Sequence, residues 1–309
     1  MHLTLLNSII FNKGVIMKLF KREKYLKKIR GFYDADDIIK VITGVRRCGK
    51  SSLMQTIADE LIERGIAKTN IIYIDLDKRG YRNITKADQL EALLDAINVN
   101  GLKYIFIDEI QNVNGFEEVL NGFRSEGNYS FFITGSNSYL LSGELITKLT
   151  GRYLEFEMFP LSFDEYLDIK KFYGKTINSN LSQELTQFIM EGGFPRTIHI
   201  DNLNDKRTYV NGVIQEIFNK DIRKRIKIKD VATFEIVRNY VINNFGATTS
   251  LTSLQKSLNC NGISVSRLTL GKYIKALTDA KILYECPRFD IQSKRSLNGE
   301  KKYYLSDLS

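Results

Sequence analysis

The string "GVRRCGKS", residues 44–51, follows an apolar run and precedes a helical one, and its composition suits the wrapping of a phosphate chain. Gly44 and Gly49 let the backbone turn its N–H groups inward, and a helix that starts at the end of the loop adds its positive pole. In this G-x-x-x-x-G-K-[ST] spacing Lys50 reaches the β- and γ-phosphates, and the Ser51 hydroxyl ligates Mg²⁺. Val45, Arg46, Arg47, Cys48 and Ser52 complete the expected nucleotide-contacting set. The flanks agree with the motif. "DIIKVITG" reads as a buried strand, and "KSSLMQTIADELIERG" as a helix with Leu53, Ile57 and Leu61 four apart and Gly65 as its stop.

A second element ends in acid. In "YIFIDEI" an apolar strand closes on Asp108 and Glu109. An aspartate at the carboxyl end of a strand can hold the Mg²⁺ shell, and a neighbouring glutamate can polarise an attacking water. Adjacent strand residues face opposite ways, so Glu109 can do this only if the chain turns there. The other reading is a solvated acidic turn. "TKAD", residues 85–88, has the letters of a guanine-reading motif but falls between the second and third strands. A nucleotide with Mg²⁺ is the expected ligand, and the guanine-reading letters are discounted there.

The composition removes other chemistries. Three cysteines, Cys48, Cys260 and Cys286, are too few and too scattered for a disulfide frame or a zinc site, and two histidines, His2 and His199, supply no metal cluster or triad. A reducing cytoplasm is the natural home. No apolar run approaches the ~18 residues of a membrane span. The opening "MHLTLLNSIIFNKGVI" makes a poor signal peptide, and Met17, before the basic amphipathic "KLFKREKYLKKIRGFYD", looks like a more natural start, with Leu19, Tyr25, Leu26 and Ile29 packed inward.

These residues must be positioned by a larger frame, and 309 residues suggest about two domains. "NIIYIDLD", "LKYIFIDEI", "YSFFITGS" and "RYLEFEMFPL" read as four further strands separated by helices, which argues for an α/β fold with a parallel sheet covered on both faces. From Ser162 the pattern turns helical. The last ~80 residues then give three short helices and a hairpin, a winged helix-turn-helix pattern. Phe234, Val237, Val241 and Phe245 are expected on one face of its first helix. The expected division is an N-terminal extension and basic segment over 1–35, a P-loop core over 36–161, a helical lid over 162–230 and a winged helix over 231–309.

The strings "GVRRCGKSSL", "FIDEIQNVNGFE", "ITGSNSYLL", "LTGRYLEFEMFPLSFDEY" and "GGFPR" together resemble the AAA-type prokaryotic ATPases, related to archaeal and STAND-like AAA+ ATPases. The resemblance spans roughly residues 18–309. It implies a P-loop NTPase core of AAA+ type, a helical lid and a winged helix. By the same resemblance Asn137 matches a polar sensor, and Arg152 an arginine finger that acts in trans within a homo-oligomer. Pro195, in a Gly-x-Pro element, would close over the base, with Arg196 a candidate sensor cation. Arg47 departs from the pattern, which commonly has glycine there, and reads equally as a phosphate ligand or as a structural arginine gripping the sheet or the lid. Relatives often continue past "KYYLSD" into a nuclease-like or otherwise uncharacterised C-terminal domain. This chain stops at Ser309, which reads as a truncation, and any activity of that domain should be absent.

Charge is unevenly placed. Residues 1–202 hold 26 Lys+Arg against 26 Asp+Glu, and residues 203–309 hold 19 against 10, so the whole +9 belongs to the last third. Duplex DNA is the expected partner there, through Lys272, Lys275, Lys294 and Arg295, with a solvated basic surface or a protein-binding winged helix as the alternatives. The combined reading is an ATP-hydrolysing enzyme coupled to a DNA-binding winged helix. The alternative is an ATP-gated regulatory module with little hydrolysis.

Overall fold

The computed structural model describes residues 18–135, 149, 151–223, 226, 228, 230–290 and 295–309. The chain forms two compact units. The first comprises Met1–Gly44, Gly49–Met158 and Lys171–Lys175, and the second Val45–Cys48, Phe159–Lys170 and Thr176–Ser309.

The first unit is built on five parallel strands, β1 (Ile39–Gly44), β2 (Ile71–Asp75), β3 (Lys103–Asp108), β4 (Tyr129–Thr134) and β5 (Tyr153–Met158), in the order β2-β3-β4-β1-β5. Side chains alternate between the faces of each strand. Ile39, Val41, Ile72, Ile74, Ile105, Ile107, Phe131 and Ile133 share one face and pack with helices α3 (Ala87–Asp95) and α4 (Phe116–Glu126) through Leu90, Leu94, Phe116 and Leu120. On the other face in-register residues make a ladder across four strands. Tyr73 stacks on Phe106 at 5.9 Å, Phe106 on Phe132 at 4.6 Å, and the Lys40 ammonium lies 4.6 Å from the Phe132 ring centre.

Helix α1 (Glu23–Ile29) buries Tyr25, Leu26 and Ile29, as the sequence predicts. Helix α2 (Lys50–Glu63) buries Leu53, Ile57 and Leu61, and Gly65 ends it in the left-handed region at φ 90°. Its Glu60 accepts from the Tyr33 hydroxyl at 2.9 Å and from Arg30, whose guanidinium holds the carboxyl down at about 2.

In the second unit α5 (Phe163–Phe172), α6 (Leu181–Glu191) and α7 (Leu203–Ile217) are joined by buried ion pairs, Lys170 to Glu184 and Lys206 to Glu191. A π-helical turn, Phe218–Ile222, extends α7. The C-terminal part runs α8 (Val231–Asn243), β6 (Thr248–Thr249), α9 (Leu251–Cys260), α10 (Arg267–Asp279), β7 (Leu283–Asp290) and β8 (Arg295–Leu305), with a three-stranded antiparallel sheet in the order β6-β8-β7. Phe234, Val237, Val241, Leu270, Ile274 and Leu277 form its core. Phe245 is 49% exposed, against expectation. Helix α8 stops at Asn243, so helical spacing no longer carries Phe245 inward.

Candidate functional site

The loop 44–51 lies between β1 and α2, at the carboxyl end of the sheet. Gly49 is the N-cap of α2 at φ 110°, a left-handed conformation that leaves the helix N–H groups directed outward. Gly44 has φ 142°, and Arg47 has φ 68°, the left-handed region that a glycine would occupy more cheaply. The buried Lys50 ammonium donates to Gly44 O at 2.9 Å, while Ser51 and Ser52 are exposed. Cys48 is fully buried, and its N–H donates to Val45 O at 3.2 Å.

The loop arginines have carboxylate partners. Within the second unit Arg46 donates through Nε and Nη2 to Asp221, both at 3.0 Å, and Arg47 donates through Nε to Glu216 at 3.2 Å. The sequence names Arg46 among the nucleotide contacts and leaves Arg47 open between a phosphate ligand and a structural arginine gripping the sheet or the lid; both guanidiniums here engage carboxylates. The acids that hold them lie ~170 residues away in the chain, where no local spacing reveals them. Glu216 is held below the usual carboxylate range because Lys220 and Arg47 offset its burial. Arg47, Arg196 and Glu216 also lie around Tyr209, whose phenol burial pushes up.

Asp108 ends β3, and the chain does turn at the next residue: Glu109 has φ 59° and ψ 46°. Glu109 therefore escapes strand alternation, as its expected role requires. Its N–H donates to Thr134 Oγ1 at 3.2 Å, and its carboxylate accepts from the Gln111 amide. The Thr134 hydroxyl at the end of β4 donates to Asp108 Oδ1, and Tyr73 Oη lies 3.4 Å from Asp108 Oδ2 and 3.4 Å from Ser51 O. Burial and the Asp108 and Asp75 carboxylates hold the Tyr73 phenol well above its ordinary pKa. Thr134, Tyr73 and Gln111 were not singled out from sequence. The threonine and tyrosine come within reach only through strand register, and the glutamine through the left-handed turn. Asn137 lies outside the described residues.

A cavity of about 280 Å³ opens beside the loop, lined among others by Ser51, Asp108, Tyr73, Asp75 and Lys78. Its donors are hydroxyl and carboxylate oxygens, the ligands Mg²⁺ prefers. No group of three or more His, Cys, Asp or Glu that could hold a metal occurs among the described residues. The ion would thus be completed by phosphate oxygens and water, which is the usual manner of Mg²⁺.

The remaining expected residues lie on other elements. Arg152 precedes β5, and its Nη1 donates to Asn121 at 3.1 Å. It stands at the amino ends of the strands, opposite the phosphate loop. Pro195 and Arg196 open the 3₁₀ turn Pro195–His199. The glycine before that turn has its own packing reason, since a Cβ on Gly193 would lie 2.5 Å from Leu161 O, and its N–H donates to Asp307 at 2.5 Å. Lys272 and Lys275 are exposed on α10, Lys275 paired with Asp279 at 2.9 Å. Lys294 lies outside the described residues, as does the Arg295 side chain. No helix among the described residues is long and apolar enough to cross a membrane.

Comparison with known proteins gives this geometry a context. Residues 36–167 match an AAA domain, and residues 182–309 match a domain of unknown function. An uncharacterized protein of Haemophilus influenzae is 34% identical over 94% of this chain and 72% of its own length. Another from Methanocaldococcus jannaschii is 29% identical over 97% of this chain and 68% of its own. The Walker-type ATPase of Pyrococcus abyssi, at 16% identity, superposes with a TM-score of 0.62 over 93% of this chain and 94% of its own, which shows a shared fold. The chain belongs to the family of the Haemophilus influenzae protein, and its N-terminal half carries an AAA-type P-loop ATPase domain.

Proposed function

We propose that the protein binds Mg·ATP on the 44–51 loop and hydrolyses it. The observation that carries this reading is the left-handed turn at Glu109, which sets a carboxylate beside Asp108 at the end of β3, with β4 alone between β3 and β1. Backbone N–H groups at the start of α2 and the Lys50 ammonium would bind the phosphates. Arg46 and Arg47 would contribute their backbone, because their guanidiniums are engaged by Asp221 and Glu216. Ser51 and Asp108 would hold Mg²⁺, with Thr134 fixing the Asp108 carboxylate. When bound, the ion neutralises charge on the β- and γ-oxygens. Glu109, oriented by Gln111, would take a proton from water as the water oxygen bonds to the γ-phosphorus and the bond to the β-phosphate oxygen breaks. Glu109→Gln should retain ATP affinity by calorimetry while phosphate release falls by about 10²-fold or more. Unchanged turnover would overturn the role of Glu109 and favour a nucleotide-gated module.

A second function is proposed for residues 231–309, as a winged helix that binds duplex DNA. The order helix, strand, two helices and hairpin supports it, as does the exposed basic side of α10. Residues 36–161 would then be the ATPase core and 162–230 its helical lid. A homo-oligomer is required for any action of Arg152 on the nucleotide.

A further inference from the structure

We infer that Asp75 is the second carboxylate of the magnesium site, that it acts by accepting hydrogen bonds from metal-bound water, and that Lys78 competes with the cation for it. The inference rests on the Mg·ATP reading and extends it to a residue outside the phosphate loop and the acidic pair.

Asp75 and Asp108 are partners in register at the carboxyl ends of adjacent parallel strands. Tyr73 and Asp75 share a face of β2, Phe106 and Asp108 share a face of β3, and the stacked Tyr73 and Phe106 rings fix these as the same face of the sheet. Both carboxylates line the cavity into which Ser51 also opens, so two acids and a hydroxyl converge there. Magnesium is commonly held by one or two carboxylates with phosphate oxygens and several retained waters, and those waters need acceptors.

Asp75 is held for this task from several sides. Its Oδ1 accepts from Asp77 N–H at 3.1 Å, and Leu76 N–H continues the ladder to Asp108 O at 3.2 Å. Asp77 in turn accepts from the Asn112 amide at 3.1 Å, which ties the end of β2 to the turn that carries Glu109. Asp75 Oδ2 lies 3.4 Å from the ammonium of Lys78, a side chain 60% exposed that lines the same cavity. A hydrated cation and this ammonium draw on the same carboxylate.

The test titrates Mn²⁺ into the full chain saturated with ADP and follows the free-ion EPR signal. Asp75→Asn, nearly isosteric, should weaken Mn²⁺ binding by about 10- to 100-fold, the usual effect of losing an outer partner of a metal site. Its ADP affinity in EDTA should match the wild type, which also certifies the fold. Lys78→Met should tighten Mn²⁺ by roughly 2- to 5-fold, the scale of an exposed ion pair. Wild-type Mn²⁺ affinity in Asp75→Asn would overturn the assignment of Asp75 and leave the nucleotide reading intact. A wild-type chain that takes up neither ADP nor Mn²⁺ would overturn both.

Discussion

Lys50 clasps its own loop: its ammonium donates to Gly44 O at 2.9 Å, across the whole phosphate-binding turn. The lysine is buried, so its charge is preorganised at the loop. The guanidiniums of Arg46 and Arg47 engage Asp221 and Glu216, so in the proposed function Lys50 would supply side-chain charge to the phosphates. Lys50→Ala should weaken ATP binding by roughly 10- to 100-fold or more, the worth of one or two charge-assisted hydrogen bonds. Calorimetry checks this, and affinity near that of the wild type would remove the loop from the function.

The phosphate loop and all five parallel strands were legible in the sequence because each depends on neighbours in the chain. The spacing of Gly44, Gly49, Lys50 and Ser51 is local, and so are the apolar runs. Glu109 needed a turn, and the sequence stated the need without supplying the conformation. Partnerships set by register were not legible. The ladder from Tyr73 to Lys40 requires four strands in one alignment, and the sequence does not align β2 with β3. Asp75 was hidden for the same reason. The partners of Arg46 and Arg47 belong to α7 and its π-helical extension, far along the chain.

Arg152 precedes Tyr153, which pairs with Ile39, whereas the phosphate loop follows Gly44, which pairs with Met158. The length of a six-residue strand, about 20 Å at ~3.3 Å per residue, separates the two. Arg152 thus cannot reach the phosphates bound by its own chain. Arg152→Ala should leave ATP affinity unchanged in calorimetry. Turnover per chain that rises with wild-type concentration, and ceases to rise in the variant, would identify a finger supplied in trans.

Lys40 carries the clearest pH signature. It is fully buried in β1, and its ammonium donates to Ala35 O at 2.6 Å and Ser130 Oγ at 2.8 Å. Burial lowers its pKa to about 7, against the opposing pull of Asp37, Asp36 and Asp34. The unfolded chain, with an ordinary lysine near 10.4, therefore binds more protons than the folded chain between pH 7 and pH 10. Stability from this group rises with pH through that window, by at most about 1.4 kcal/mol per unit, and levels off below pH 7. Lys40→Met should flatten the slope in denaturant unfolding measured from pH 7 to pH 10. An equal slope in both proteins would show that Lys40 keeps an ordinary proton affinity in the fold.

The proposed DNA contact rests on α10, where Leu270, Tyr273, Ile274 and Leu277 are buried and Lys272 and Lys275 are exposed on the other side. The helix begins at Arg267 and Leu268, and Leu268 is 71% exposed. In helix-turn-helix proteins the N-terminal residues of this helix approach base edges, while cations along the flank meet phosphates. The two lysines are not equivalent. Lys275 already shares its charge with Asp279 at 2.9 Å, so a phosphate must compete for it. Each full phosphate contact contributes about 0.9 to the slope of log affinity against log salt. Lys272→Ala should therefore lower that slope by about 0.9, and Lys275→Ala by less. Fluorescence anisotropy with a labelled duplex over a salt series reads both values. Absence of binding at low salt, with and without ATP, would instead assign this exposed basic face to a protein partner.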